Sequence, residues 1–291
     1  MIQEHRVPVD GHTLAVLEAG DESGHAIIAI HGTPGSGLLW RGMIEDAEVR
    51  GMRLLAYDRP GYGGSDPHPG RAVADAAGDV AAIADALGID RFAVEGGSGG
   101  GPHTLACAAL LPDRVVAAAC LAGVAPYPAE GLDWLDGMGQ DNLDEFAAAL
   151  AGREALEPFL RRQADAMLAA EPEKIADALS SLLSPPDVAV LTGEFAEYLA
   201  ESTRRAIGQR LDGWIDDDFG FVNSWGFELD EIRVPVQLLH GAQDRFVPIA
   251  HGEWLAERIP GVDAHLSAED GHLTIQLGRI GDVHAWLLER F

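Results

Sequence analysis

The segment Gly96-Gly97-Ser98-Gly99-Gly100 sets a hydroxyl among glycines in the pattern G-x-S-x-G. Arg91-Phe92-Ala93-Val94-Glu95 before it reads as a short buried strand, and Pro102 to Leu111 after it reads as a helix. A serine on a strand-turn-helix corner is held in a strained backbone conformation that exposes its hydroxyl. The flanking glycines are needed because a Cβ would clash with so tight a turn. Ser98 is therefore the candidate nucleophile. A serine hydroxyl attacks only when a base takes its proton, and the base needs an acid to orient it. On such a corner the acid and then the base follow the serine in chain order. Val236 to His240 is an apolar strand that opens into Gly241-Ala242-Gln243-Asp244, placing the Asp244 carboxylate on the loop past the strand end. Asp263 to Leu266 reads as the last strand. Glu269-Asp270-Gly271-His272 follows, with His272 expected on the loop before the final helix.

Acyl transfer through a serine also needs two backbone N–H groups aimed at the developing negative charge. Gly99, the residue after the nucleophile, supplies one, and the loop after the first core strand supplies the other. That loop reads His31-Gly32-Thr33-Pro34-Gly35. Pro34 has no N–H, so Thr33 is the expected donor. The Thr33 hydroxyl could itself reach the site or close a local turn.

His31-Gly32-Thr33-Pro34-Gly35 resembles the oxyanion loop of the α/β-hydrolase superfamily of serine hydrolases. Asp58-Arg59-Pro60-Gly61-Tyr62-Gly63-Gly64-Ser65 resembles the turn after that family's fourth strand. The serine corner, His240 to Asp244 and Asp270 to His272 complete five motifs in family order, spanning nearly the whole chain. The resemblance implies an α/β fold: a mostly parallel central sheet flanked by helices, with an inserted helical cap. It implies catalysis by Ser98, Asp244 and His272, and fixes no substrate. Some relatives carry the acid after the strand at 115–122, but Gly123-Val124-Ala125-Pro126 offers no carboxylate there, so Asp244 is preferred. Relatives that open epoxides or displace halide carry aspartate where Ser98 stands.

The elements that must position these groups alternate. Arg6 to Val9 and Thr13 to Glu18 look like an antiparallel pair turned at Asp10-Gly11. Strands are expected at 26–31, 52–57, 91–95, 115–122, 234–240 and 263–267. Helices are expected at 38–49, 73–87 (ended by Gly88), 102–111, 249–259 and 274–290. Ala26 to His31 is continuously apolar, as a strand covered on both faces should be. The alternation argues for a parallel sheet with helices on both sides. Between Pro126 and about Glu228 the strand pattern lapses into acidic, Ala-rich helical stretches at 142–150, 153–170, 173–183 and 188–211. We therefore expect a core at 1–125 and 229–291 and a helical cap at 126–228. The aromatics from Trp214 to Phe227 precede the strand that delivers Asp244. Trp214 and Trp225 are the candidates for lining a substrate cleft, and Asp216-Asp217-Asp218 among them reads as a solvated turn.

Of the other histidines, His240 and His103 are expected in the core and His31 in a structural role. His251 and His284 are expected on the surface. Asp58 and Asp270 are expected to brace their loops. Cys107 and Cys120 lie in apolar patterns and read as buried thiols rather than a disulfide. The chain has 47 Asp plus Glu against 20 Lys plus Arg, a formal charge of −27, and its one lysine is Lys174. Such a surface repels nucleic acid and anionic membranes, because phosphate binding needs Lys and Arg. No apolar run approaches the roughly 18 residues of a membrane span, and no signal-peptide pattern opens the chain, so a cytoplasmic protein is expected. No dinucleotide fingerprint, phosphate loop, H-E-x-x-H or C-x-x-C occurs, so no cofactor and no metal is expected. The expected partner is a small-molecule substrate, the chain acting as a monomer or homodimer.

Three activities fit these residues. The first is an acyl hydrolase acting through an acyl-enzyme on a small to medium, partly apolar ester, lactone or thioester. The second, by resemblance to proline iminopeptidases, is an aminopeptidase whose cap carboxylates, such as Glu194, Glu197 or Glu201, would hold the substrate amine. The third is a ligand receptor on a hydrolase scaffold, with little turnover.

Overall fold

A computed structural model describes residues 2–291. In chain order the elements are β1 (Gln3–Val9), β2 (His12–Gly20), β3 (Ala26–Ile30), α1 (Arg41–Arg50), β4 (Arg53–Tyr57), α2 (Asp75–Ala86), β5 (Phe92–Gly97), α3 (Gly100–Leu110) and β6 (Val115–Leu121). Six helices follow: α4 (Gln140–Ala151), α5 (Arg153–Ala169), α6 (Ile175–Ala178), α7 (Pro185–Val190), α8 (Gly193–Ile207) and α9 (Asp212–Val222). The chain then returns through β7 (Val236–Gly241), α10 (Ile249–Arg258), β8 (Asp263–Ser267), α11 (His272–Leu277) and α12 (Ile280–Leu288). The eight strands form one sheet in the order β1-β2-β4-β3-β5-β6-β7-β8. β2 pairs antiparallel with β1 and β4, and the pairs from β4 through β8 are parallel.

Successive strand residues serve opposite faces. Ile28, Ile30, Leu55, Phe92, Val94 and Leu238 enter one core, while Ile27, Leu54, Ala93, Ala117 and Leu239 enter the other. Both faces are covered, which is why these strands read as continuous apolar runs. The parallel strands all end on one edge, and the loops after β3, β5, β7 and β8 gather there. α4 to α9 are inserted between β6 and β7 and build two further hydrophobic clusters, one around Leu156 and Trp214 and one around Leu183 and Leu191.

Four expectations are corrected. The stretch 274–290 is two helices, parted at Gly278-Arg279. His272 is the first residue of α11 rather than a loop residue. His251 and His284 are buried. His251 bridges the Ala125 N–H and the Trp134 carbonyl, and His284 lies between Asp46 and Glu95. Finally, Asp216, Asp217 and Asp218 form no solvated turn: they sit in α9 and are all buried.

Candidate active site

The β5–α3 corner forces Ser98 into the left-handed region, with φ 55°. Few non-glycine residues tolerate that conformation, and such outliers concentrate at functional sites. Two neighbours must be glycine for the corner to close. A Cβ on Gly96 would lie 2.7 Å from the Gly100 carbonyl oxygen, and one on Gly100 would lie 2.2 Å from that of Ile30. Ser98 is half-buried and opens onto a cavity of about 340 Å³.

His272 lines the same cavity. Its Nδ1 lies 2.7 Å from Asp244 Oδ2, and its ring stacks on Phe246 at 4.5 Å. The other oxygen of Asp244 accepts the N–H groups of Phe246 and Val247 at 2.8 and 2.9 Å. His240 donates from Nε2 to the Val247 carbonyl at 2.7 Å, fixing the far side of that loop. With Nδ1 committed to the carboxylate, Nε2 of His272 is the nitrogen left to handle a proton.

Thr33 and Gly99 also line the cavity. Among the described residues no acceptor takes the N–H of either one. The two meet closely, since a Cβ on Gly99 would fall 2.2 Å from Thr33 Oγ1. The Thr33 hydroxyl points neither at the nucleophile nor into a local turn. It donates to Asp217 Oδ2 at 2.5 Å and accepts from Arg59 Nη2 at 3.0 Å.

The two tryptophans separate. Trp214 lines the cavity and donates its indole N–H to Glu145 Oε1 at 2.6 Å. Trp225 does not line it. Trp225 belongs to the main core, stacked on Phe227 at 5.7 Å. The aromatic stretch in sequence does not tell packing from lining; for Trp214 the helical register of α9 does, whereas Trp225 lies beyond that helix. Trp214, Asp218 and Phe221 are spaced by four and three, share one face and reach the cavity.

Sequence reasoning missed two buried aspartates of the insertion. Asp217 Oδ1 accepts from Arg59 Nη1 at 2.6 Å and Arg71 Nη2 at 2.5 Å, and Oδ2 accepts from Tyr62 OH at 2.7 Å as well as from Thr33. Burial alone would raise this carboxyl; the Arg59 and Arg71 guanidiniums overcome it and hold the group far below the usual carboxylate range. Burial, and then the charge of Arg59, push the nearby His31 and His103 down, so both serve as neutral bridges. Asp187 caps α11, accepting the N–H groups of His272, Leu273 and Thr274 at 3.0, 2.8 and 3.1 Å. No motif marks either residue. The only trace is an acid at helical spacing among apolar neighbours.

Elsewhere Asp58 braces its loop, accepting the N–H groups of Gly37 and Gly64, and Asp270 accepts from Ser267 Oγ at 2.6 Å. Cys107 and Cys120 are buried free thiols, and burial raises Cys120 to about 12. Among the described residues no cluster of His, Cys, Asp and Glu could hold a metal ion, and no helix is long and apolar enough to cross a membrane.

The sequence profile described as the alpha/beta hydrolase fold matches residues 25–277. The chain belongs to that family. A non-heme chloroperoxidase from Streptomyces lividans is 28% identical over 256 residues, covering 83% of this chain and 82% of its own. A 2-hydroxy-6-oxononadienedioate/2-hydroxy-6-oxononatrienedioate hydrolase from Cupriavidus pinatubonensis is 25% identical over 283 residues, covering 90% and 86%. The crystal structure of the enol-lactonase from Burkholderia xenovorans LB400 superposes with a TM-score of 0.72 at 18% identity, over 98% of this chain and all of that one. At that identity the likeness bears on the fold alone.

Proposed function

We propose that this protein is a serine acyl hydrolase working through an acyl-enzyme. The observation that carries the reading is that one cavity is lined by Ser98, by His272 with its Nδ1 on Asp244, and by Thr33 and Gly99, whose N–H groups have no acceptor among the described residues. Ser98 Oγ attacks the substrate carbonyl carbon and His272 Nε2 takes the hydroxyl proton. The carbonyl oxygen gains the displaced electron pair and is held by the N–H groups of Thr33 and Gly99. Collapse breaks the bond to the leaving oxygen, which receives the proton from His272. Water then attacks the acyl-enzyme by the same route, releasing the acid and restoring Ser98.

The wall of the cavity bears on substrate class. Its lining residues include Glu95, Asp141, Glu145 and Asp218, and, among the described residues, no Arg or Lys. A substrate carboxylate would meet no counter-charge there, which disfavours a dioate such as the one in the Cupriavidus relative's name. Leu182, Leu199, Phe146, Phe221 and Trp214 supply apolar surface. An uncharged, partly apolar ester or lactone fits this lining.

The same acids favour the aminopeptidase reading as a second candidate, with changed residues. Glu194, Glu197 and Glu201 are exposed and outside the cavity, so Asp141 and Glu145 would hold the amine instead. Hydrolysis of p-nitrophenyl acyl esters and of aminoacyl p-nitroanilides, by parent and Ser98→Ala, decides among the readings. Ester turnover that vanishes with Ser98 supports the first, and anilide turnover in preference to ester supports the second. Turnover of neither points to a ligand receptor.

A further inference from the structure

The acyl-transfer reading assigns chemistry to core residues only, yet two loops that carry it are fastened from the insertion. α11 begins at His272, and the position before it is Gly271, which has no side chain to cap the helix. A helix start leaves N–H groups without intrahelical acceptors. Here the acceptor is Asp187 on α7, which is fully buried. Its Oδ1 takes the Leu273 and Thr274 N–H groups, and its Oδ2 takes the His272 N–H and the Ser184 hydroxyl. A carboxylate has about four acceptor positions, and all are used. The fit depends on the missing side chain: a Cβ on Gly271 would sit 2.3 Å from both Asp187 Oδ2 and Ser184 Oγ. Leu273 and Phe246 pack on the insertion's cluster around Leu183 and Leu191, so apolar contact reinforces the tie.

Asp217, on α9, does the same for the opposite side of the cavity. Its four donors come from Thr33, Arg59, Tyr62 and Arg71, all in core loops. Arg59 Nη2 also donates to the Gly32 carbonyl at 3.0 Å, so the peptide preceding Thr33 is held by the same ion pair. The side chain of Thr33 is thereby fixed against Gly99. Neither aspartate lines the cavity. Each acts through a residue that does.

We propose that Asp187 and Asp217 are positioning residues through which the insertion completes the catalytic centre, Asp187 by setting His272 and Asp217 by setting the Thr33 N–H. The insertion is then part of the machinery and not only a cover. The inference rests on the serine acyl-transfer reading, and the test separates the two.

Steady-state hydrolysis of p-nitrophenyl butyrate is measured for Asp187→Ala, Asp187→Asn and Thr33→Val, beside Ser98→Ala. Thr33→Val keeps the N–H and the branched shape while cutting the bond to Asp217, and so avoids stranding two buried guanidiniums. A displacement of about 1 Å at reacting groups costs on the order of 100-fold. We expect kcat to fall by about that much in Asp187→Ala. Asp187→Asn retains one acceptor oxygen and should fall by roughly 10-fold, as should Thr33→Val. KM should stay within about 3-fold throughout, because no group that touches substrate is removed. Circular dichroism and thermal melts establish that each variant is folded at the assay temperature. If Asp187→Ala does not fold, Asp187→Asn carries that half of the test. A purely structural role predicts lower melting temperatures with kcat unchanged. Folded Asp187→Asn and Thr33→Val within about 2-fold of the parent kcat would overturn the proposal. Full activity in Ser98→Ala would instead overturn the acyl-transfer reading.

Discussion

Asp244 Oδ2 stands 2.7 Å from Nδ1 of His272, while its Oδ1 is occupied by two backbone N–H groups of its own loop. The carboxylate is thus fixed before it fixes the imidazole. That order of constraint defines which ring nitrogen faces the cavity.

Replacing Asp244 by Asn should therefore trap the ring in the wrong tautomer. In the serine-protease precedent such a change costs about 10⁴-fold in kcat. We expect a loss of that order in ester hydrolysis for Asp244→Asn, with substrate KM little changed. Among the described side chains Asp270 bonds only to Ser267 Oγ, so Asp270→Asn should stay within a few-fold of the parent. Steady-state kinetics of both variants checks the assignment, and a reversed ranking would refute it.

Much of this was readable in the chain because local chemistry wrote it there. The glycines at the corner, the proline that disqualifies position 34 and the turn residues after each strand are short-range constraints. The doubly buried strands also announce themselves as apolar runs. What stayed hidden depends on contacts far apart in sequence. Asp217 finds Arg59 at a separation of 158 residues, and Asp187 finds His272 at 85. Acids in an acidic chain look like solvated surface until their partners are known. His251 and His284 were misplaced for the same reason. Three consecutive aspartates, Asp216 to Asp218, suggest a solvated turn, but tertiary burial within α9 overrides that local preference.

The two tryptophans should behave differently. Trp214→Ala enlarges the cavity and should shift preference among acyl chain lengths. Each methylene that gains or loses a wall is worth about 0.8 kcal/mol, roughly 4-fold in kcat/KM. Trp225→Ala should leave the chain-length profile unchanged and lower stability by about 3–5 kcal/mol. A p-nitrophenyl ester series from acetate to octanoate, with thermal melts, reads both effects. Equal profiles for parent and Trp214→Ala would remove Trp214 from the substrate wall.

The acids of the cavity give a pH dependence of stability. Burial, then the adjacent Glu145, pushes Asp218 well above the usual carboxylate range, and burial raises Glu145 to about 7. The folded state therefore binds these protons more tightly than the unfolded state. Their contribution is most favourable below the unfolded value, about 4, and is lost as pH rises toward and beyond 7. Asp217 has the opposite sign, its stabilisation fading only in acid as its own proton binds. Asp218→Asn should thus gain melting temperature over the parent at pH 8 relative to pH 5, by roughly 3 °C or more. Parallel melting curves across that range would contradict it.

The absence of any Arg or Lys from the lining, among the described residues, also ranks substrates. A mono-ester of succinate should be hydrolysed with kcat/KM at least about 10-fold below that of the matching butyrate, about 1.4 kcal/mol or more. The gap should narrow in Glu145→Gln. Equal rates for the two esters would show that the acids do not face the acyl group.

Labelling with a small fluorophosphonate, read by intact-protein and peptide mass spectrometry, tests the central claim most directly. It asks whether the strained serine is the activated nucleophile, independent of any guess about substrate. The account predicts one adduct per chain, on Ser98, formed quickly in the parent, strongly slowed in His272→Ala and absent in Ser98→Ala. An adduct on another residue, or a parent chain that stays unlabelled, would contradict it.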